Sequence, residues 1–226
     1  MKNKLLAGLA VGVMMSGVAV VSNATTLISN INMDNSFELY IATTENDQGK
    51  LISSGYEEVN YNWGTTVNNT ILLDKGQDYY IHIKGIDTGS IASFLGSFSL
   101  DGTGHQFVNG TNNLLTNGTN WQASSTGWNN YQTPTTHGIN GVSPWNNRPN
   151  QPSNATWIWA GDWYTNDTAY FSTKISAVPS SAPTPEPATM LLLGTGLAGL
   201  AGARRIKKQQ PGQGKNTASS MSTNIT

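Results

Sequence analysis

Apolar positions fall into three regimes along the chain. From Leu5 to Val21 apolar and small residues run on without a break. From Thr25 to Lys174 they come in short alternations interrupted by Gly, Asn and Asp, and from Ala188 to Ala203 a second uncharged, largely apolar run appears. The middle regime never sustains a 3.6-residue period, which predicts an all-β fold. Phe37, Leu39 and Ile41 alternate with Glu38, Tyr40 and Ala42; after an Asp74-Lys75-Gly76-Gln77 turn, Tyr79, Ile81 and Ile83 alternate with Tyr80, His82 and Lys84. Each alternation describes a strand with one buried face. Further strands are predicted at 27–31, 70–73, 91–100, 156–159 and 169–175. Short strands at close intervals, with no repeat and no second domain, favour one β-sandwich over residues 25–175 rather than a parallel α/β sheet.

The two flanking runs read as addresses. Lys2 and Lys4 precede the first run, and Ser22-Asn23-Ala24 ends it in small residues, so residues 1–24 are expected to be a signal peptide cleaved after Ala24. A retained anchor fits less well, because about 17 residues is the shortest span of a bilayer and the cleavage pattern follows at once. At the other end, residues 176–187 form a Pro-rich extended spacer, residues 188–203 a marginal membrane helix, and Arg204, Arg205, Lys207 and Lys208 a positive stop that stays on the cytoplasmic side. A polar tail occupies 209–226. The sandwich then faces outward.

The run VPSSAPTPEPATMLLLGTGLAGLAGARRIKK resembles the PEP-CTERM sorting signal of Gram-negative bacteria, with the Pro185-Glu186-Pro187 motif, short helix and basic stop in the same order. That resemblance implies export, transient membrane insertion and cleavage near Pro185-Glu186-Pro187 by an exosortase. It further implies release or attachment at the cell surface, often alongside exopolysaccharide production. The chain departs from the pattern in continuing beyond the basic cluster, and a plain C-terminal anchor without processing is the competing reading.

Charge and composition narrow the partners. Residues 25–180 hold twelve acids against five bases, so 5 − 12 gives a net −7. With no basic face to neutralise phosphates, nucleic-acid binding is excluded from the expectations. The chain has no cysteine, which removes disulfides, thiolate metal sites and cysteine nucleophiles.

The spaced landmarks from Asp34-Asn35-Ser36-Phe37-Glu38-Leu39-Tyr40 through Trp63, the strand Tyr80–Gly85, Gly96-Ser97-Phe98, Trp121, Trp128, Pro144-Trp145, Trp157-Ile158-Trp159 and Tyr170-Phe171 resemble a galactose-binding-like jelly roll. Such domains accompany carbohydrate-active enzymes or stand alone on bacterial surfaces. The chain departs by inserting Thr43 to Lys50 after the Leu-Tyr strand, so no ligand residue carries over.

Candidate chemistry is sparse. His82, His105 and His137 lie too far apart in sequence to ligate a metal from one element, and His82 is expected at a surface or edge. Glycoside hydrolysis needs two carboxylates about 5–9.5 Å apart; adjacent Glu57 and Glu58 in a strand would point to opposite faces. Asp162 and Asp167 could approach each other in a loop, and Asp162, Asn166 and Asp167 offer oxygens to Ca²⁺, with Asp34 and Asn35 a second set. All seven tryptophans lie between Trp63 and Trp163. Trp157 and Trp159 should share a strand face in the core, with Trp121 and Trp128 plugging the sandwich. Trp145 and Trp163, in Pro/Asn and Asp/Asn loops, are the expected sugar-stacking platform. Within residues 25–175 the Asn-x-Thr triplets at Asn68, Asn109, Asn117, Asn154 and Asn166 read as turn composition. Together these features predict a non-enzymatic, exported surface or matrix protein adhering to exopolysaccharide. A glycan hydrolase or lyase, or a matrix protein without a specific ligand, are the alternatives.

Overall fold

The computed structural model describes residues 24–55, 62–179 and 192–197. The signal peptide, Glu57 and Glu58, the Pro185-Glu186-Pro187 motif, the basic stop at Arg204, Arg205, Lys207 and Lys208, and the polar tail lie outside the described residues. Among the described residues, twelve strands make two antiparallel sheets. The first holds β1 (Thr25–Asp34), β4 (Val67–Leu73), β6 (Ser93–Asp101), β8 (Asn113–Leu115), β10 (Thr135–Ile139) and β11 (Thr156–Trp159). The second holds β2 (Ser36–Ala42), β3 (Lys50–Gly55), β5 (Tyr79–Ile86), β7 (His105–Phe107), β9 (Gln122–Ser124) and β12 (Thr168–Ala177).

The first sheet runs β10-β11-β6-β1-β4 with β8 beside β6, and the second runs β3-β2-β5-β12-β7 with β9 beside β12. From β1 to β10 the chain changes sheet at most strand-to-strand steps. The period-2 pattern sends Leu27, Ile31 and Met33 of β1 and Phe94 and Phe98 of β6 inward, where they meet Leu39, Ile81, Ile83, Phe171 and Ile175 of the other sheet. Each such side chain removed from water contributes about 1.5–3 kcal/mol. Trp121 closes the layer, edge-on to Phe94 at 5.4 Å. The predicted strands all exist, most of them longer. The short strands β7, β8 and β9 escape prediction because three residues carry no readable period, and β3 and β10 because Ser, Thr and Gly blur theirs. The last strand also runs past its expected end: Ser176 and Ala177, assigned to the spacer, pair with Gln106 and His105.

A second apolar cluster lies on the outer face of the first sheet. Leu95 points away from Phe94 and Phe98 and is covered by Trp145, Ala155 and Trp157. Trp157 and Trp159 are therefore both fully buried, but in different clusters: Trp157 outside the first sheet, Trp159 between the sheets against Phe171. Trp128 does not plug the sandwich. It lies half-buried on the outer face of the second sheet, stacked on His82 at 4.7 Å and edge-on to Tyr40 and Tyr170. That cover corrects the expectation for His82, which is fully buried, with Nδ1 3.4 Å from the Gln48 carbonyl in the 43–50 insertion.

Within the separate unit 181–226, residues 192–197 are helical. Among the described residues no helix is long and apolar enough to cross a membrane.

Candidate functional site

The outer cluster is held down by side-chain amides. Asn140 donates to the Arg148 and Gln151 carbonyls, each at 3.0 Å, and accepts from the Arg148 N–H at 2.8 Å. Gln151 in turn donates to the Asn30 carbonyl and to Asn32 Oδ1, both at 2.9 Å, which fastens the 140–155 loop to β1. The loop thereby presses Trp145 onto Trp157, stacked at 4.8 Å, and onto His137, stacked at 5.7 Å.

This placement decides the fate of the expected sugar platform. Trp145 is only 1% exposed, and its ring offers no face to solvent. Trp163 is half-buried between the two apolar clusters, against His137 and Tyr164, while its carbonyl accepts from Ala92 N–H at 3.0 Å. The two do not form a common open surface. Their loop surroundings suggested exposure because the fold-back of 140–155 over Leu95 is a tertiary event with no local signature.

The fold-back leaves a cleft of about 280 Å³ beside it, lined by Asp34, Asn35, Trp63, Gly89, Ser90, Ile91 and Pro144. Asp34 ends β1 on the outward side of the pleat, where it is nearly buried. Its Oδ1 accepts from Asn35 Nδ2 at 2.8 Å and its Oδ2 from the Trp145 indole N–H at 2.7 Å. Asn35 Oδ1 takes two donors from Thr88, the backbone N–H at 2.6 Å and the hydroxyl at 2.9 Å, so the corner between β1 and β2 is locked to the 87–90 turn. Trp63 comes from a single 3-10 turn, Asn62–Gly64, and its carbonyl accepts from Asn32 Nδ2 at 2.9 Å and Arg148 Nη1 at 3.4 Å. At the rim, Ser90 has φ of +83°, a left-handed conformation that costs a residue with a Cβ about 1–2 kcal/mol.

Electrostatics beneath and beside the cleft are those of burial. Asp87, next to the turn, keeps one oxygen without a partner; burial pushes its carboxyl up, against bonds from the Gly89 and Thr88 N–H groups that pull it down. His137 lies 3.2 Å from the Ser93 hydroxyl through Nδ1, and burial pushes its imidazole down to about 3, so it is neutral at physiological pH. This serine–histidine pair has no route to a substrate: Ser93 is fully buried and also within reach of the Ile158 carbonyl. Among the described residues Asp34 is the one carboxylate lining the cleft, where glycoside hydrolysis would need two.

The expected calcium ligands serve the turn between β11 and β12. Asp162 accepts from Tyr164 N–H at 2.8 Å, and Asn166 donates to the Ala160 carbonyl at 2.7 Å while its own carbonyl accepts from Trp159 Nε1 at 2.8 Å. Asp167 contributes its carbonyl to Asp87 N–H at 2.8 Å. Among the described residues no group of three or more His, Asp or Glu is placed to hold a metal. The cleft itself escapes sequence reading because its walls come from four separate connections.

Residues 183–205 match the PEP-CTERM protein-sorting motif. The motif indicates an exported protein sorted by an exosortase, anchored in the membrane before release. Compared with curated proteins and with solved structures, the chain has no match.

Proposed function

We propose that the chain is a non-enzymatic surface or matrix protein whose sandwich adheres to exopolysaccharide through the Trp63 cleft. The observation that carries this reading is the composition of that cleft: the aromatic Trp63 and apolar Ile91 stand beside the polar groups of Asp34, Asn35 and Ser90 in one open concavity. Apolar walls suit the C–H faces of a sugar, while a carboxylate and amide suit its hydroxyls. The strained Ser90 supports it, since backbone strain persists where the surrounding structure enforces it and clusters at ligand sites. A single lining carboxylate among the described residues favours binding over hydrolysis. In this reading the alternation of the chain between two sheets reflects a galactose-binding-like jelly roll, and exosortase cleavage near Pro185-Glu186-Pro187 frees the mature protein from its anchor.

Affinity electrophoresis of the exported protein, in gels containing the producer's own polysaccharide, tests the adhesive part. Trp63→Ala should lose about 1–3 kcal/mol of retention, the scale of one aromatic contact, with its melting midpoint little changed. Equal migration of wild type and Trp63→Ala would remove the cleft from the account, and release of reducing ends would replace adhesion by hydrolysis. Replacing Pro185, Glu186 and Pro187 with Ala should hold the precursor in the membrane; normal release of that variant refutes exosortase handling.

A further inference from the structure

A sheet edge exposes unpaired N–H and C=O groups, and proteins usually blunt such edges with charge, proline, bulges or shortness. Most of the edges here carry one of these devices. β10 follows Pro134 and is broken by a register shift between Thr136 and Gly138. β3 opens on Lys50 and is offset by a shift opposite Leu39 and Tyr40, while β7, β8 and β9 are three residues each. β4 is the exception. It pairs with β1 without interruption from Val67 to Leu73, has no strand on its other side among the described residues, and contains no charge, Pro or Gly.

We propose that β4 is an assembly edge at which a second copy of this chain adds its own β4 antiparallel, joining the two first sheets into one continuous sheet. The strand is complementary to itself. Pairing centred on Thr70 sets Thr70 against Thr70, Val67 against Leu73 and Ile71 against Asn69, so residues of like orientation meet. Val67 and Ile71 are only half-buried at the margin of the main cluster, and a second copy would extend that cluster over them. Asn68, Thr70 and Leu72 remain on the outer face, where Leu72 is 69% exposed. Charge favours this edge as well. The sandwich carries net −7, so most surfaces of two copies repel. In this register the flanking Asp74 and Lys75 fall opposite Thr66 and Thr65, and no two acids face each other. The contact is isologous, uses up the edge and closes at two copies.

Sedimentation velocity of the exported protein over a broad concentration range reads the association, with amide exchange of 67–73 followed alongside. The expected result is a monomer–dimer equilibrium in which β4 amides gain protection as the dimer forms. Thr70→Lys, an exposed position, should leave the melting midpoint of the dilute protein unchanged and abolish the dimer by setting two cations face to face; Thr70→Val should retain it. A wild type that stays monomeric throughout overturns the proposal, as does β4 protection independent of concentration. A Thr70→Lys variant that still dimerises, or a ladder of larger species, overturns it too.

Discussion

The Trp145 indole N–H donates to Asp34 Oδ2 at 2.7 Å, joining positions 111 residues apart. Through this bond the 140–155 loop and the end of β1 are one unit, and the cleft is built on their junction. Trp145→Phe keeps most of the stack on Trp157 but leaves a nearly buried carboxylate short of a donor, which should cost about 1–3 kcal/mol in denaturant unfolding. Trp145→Ala also empties the stack and should cost about 3–5 kcal/mol. A Trp145→Ala variant as stable as wild type would show that the loop does not rest on this ring.

Trp157 and Trp159 separate the two clusters experimentally. Each truncation to Ala should cost about 3–5 kcal/mol of stability. Well below the melting midpoint, however, only Trp157→Ala should also weaken polysaccharide retention, because it removes the floor under Trp145. Equal effects of both on retention would mean that the clusters act as one.

Ser90 holds a hydroxyl at the cleft rim against its backbone preference. Ser90→Gly relieves the left-handed strain, partly offset by the greater freedom of glycine when unfolded, and should raise stability by up to about 1 kcal/mol while lowering retention. Ser90→Ala should lower retention without the stability gain. If Ser90→Gly binds as well as wild type, the hydroxyl plays no part.

Acid should loosen the fold through the buried histidines. The unfolded chain takes up a proton near pH ~6.5 that native His137, pushed down to about 3, refuses. Its contribution is therefore complete above pH ~6.5 and is lost progressively as pH falls toward about 3. His82, lowered mainly by burial, acts in the same sense. Asp78, held low first by its bond from Lys174 and then by Ala177 N–H, adds a loss at still lower pH, whereas Asp87, raised by burial, opposes the trend by taking its proton more readily when folded. Melting midpoints across this window should fall for wild type and fall less steeply for His137→Gln. Parallel curves for the two would assign the acid sensitivity elsewhere.

Much of this architecture is legible in the chain. Phe37, Leu39 and Ile41, and Tyr79, Ile81 and Ile83, alternate because one face of each strand is packed, and those faces make the main core. The outer cluster left a fainter mark. Phe94 and Leu95 are adjacent apolar residues, as are Trp157, Ile158 and Trp159, and an unbroken apolar run means that both faces of a strand are covered. The neighbours of Trp145, Pro144 and Asn146, carry no sign of that cover. The burial of His82 has no local sign for a related reason: the inserted 43–50 segment and Trp128 come to its face from distant parts of the sequence.

The order in which strands enter the sheets sets when the domain can fold. β1, the first to emerge, is interior to its sheet, and its neighbours β4 and β6 begin at residues 67 and 93. β12, the last, is interior to the other sheet, between β5 and the β7 and β9 pair. With contacts so non-local, the first sheet is complete only once Trp159 is available and the second only once Ala177 is. A chain crossing a membrane amino end first thus stays threadable until almost the whole sandwich has passed, and gathers into its final shape on the far side.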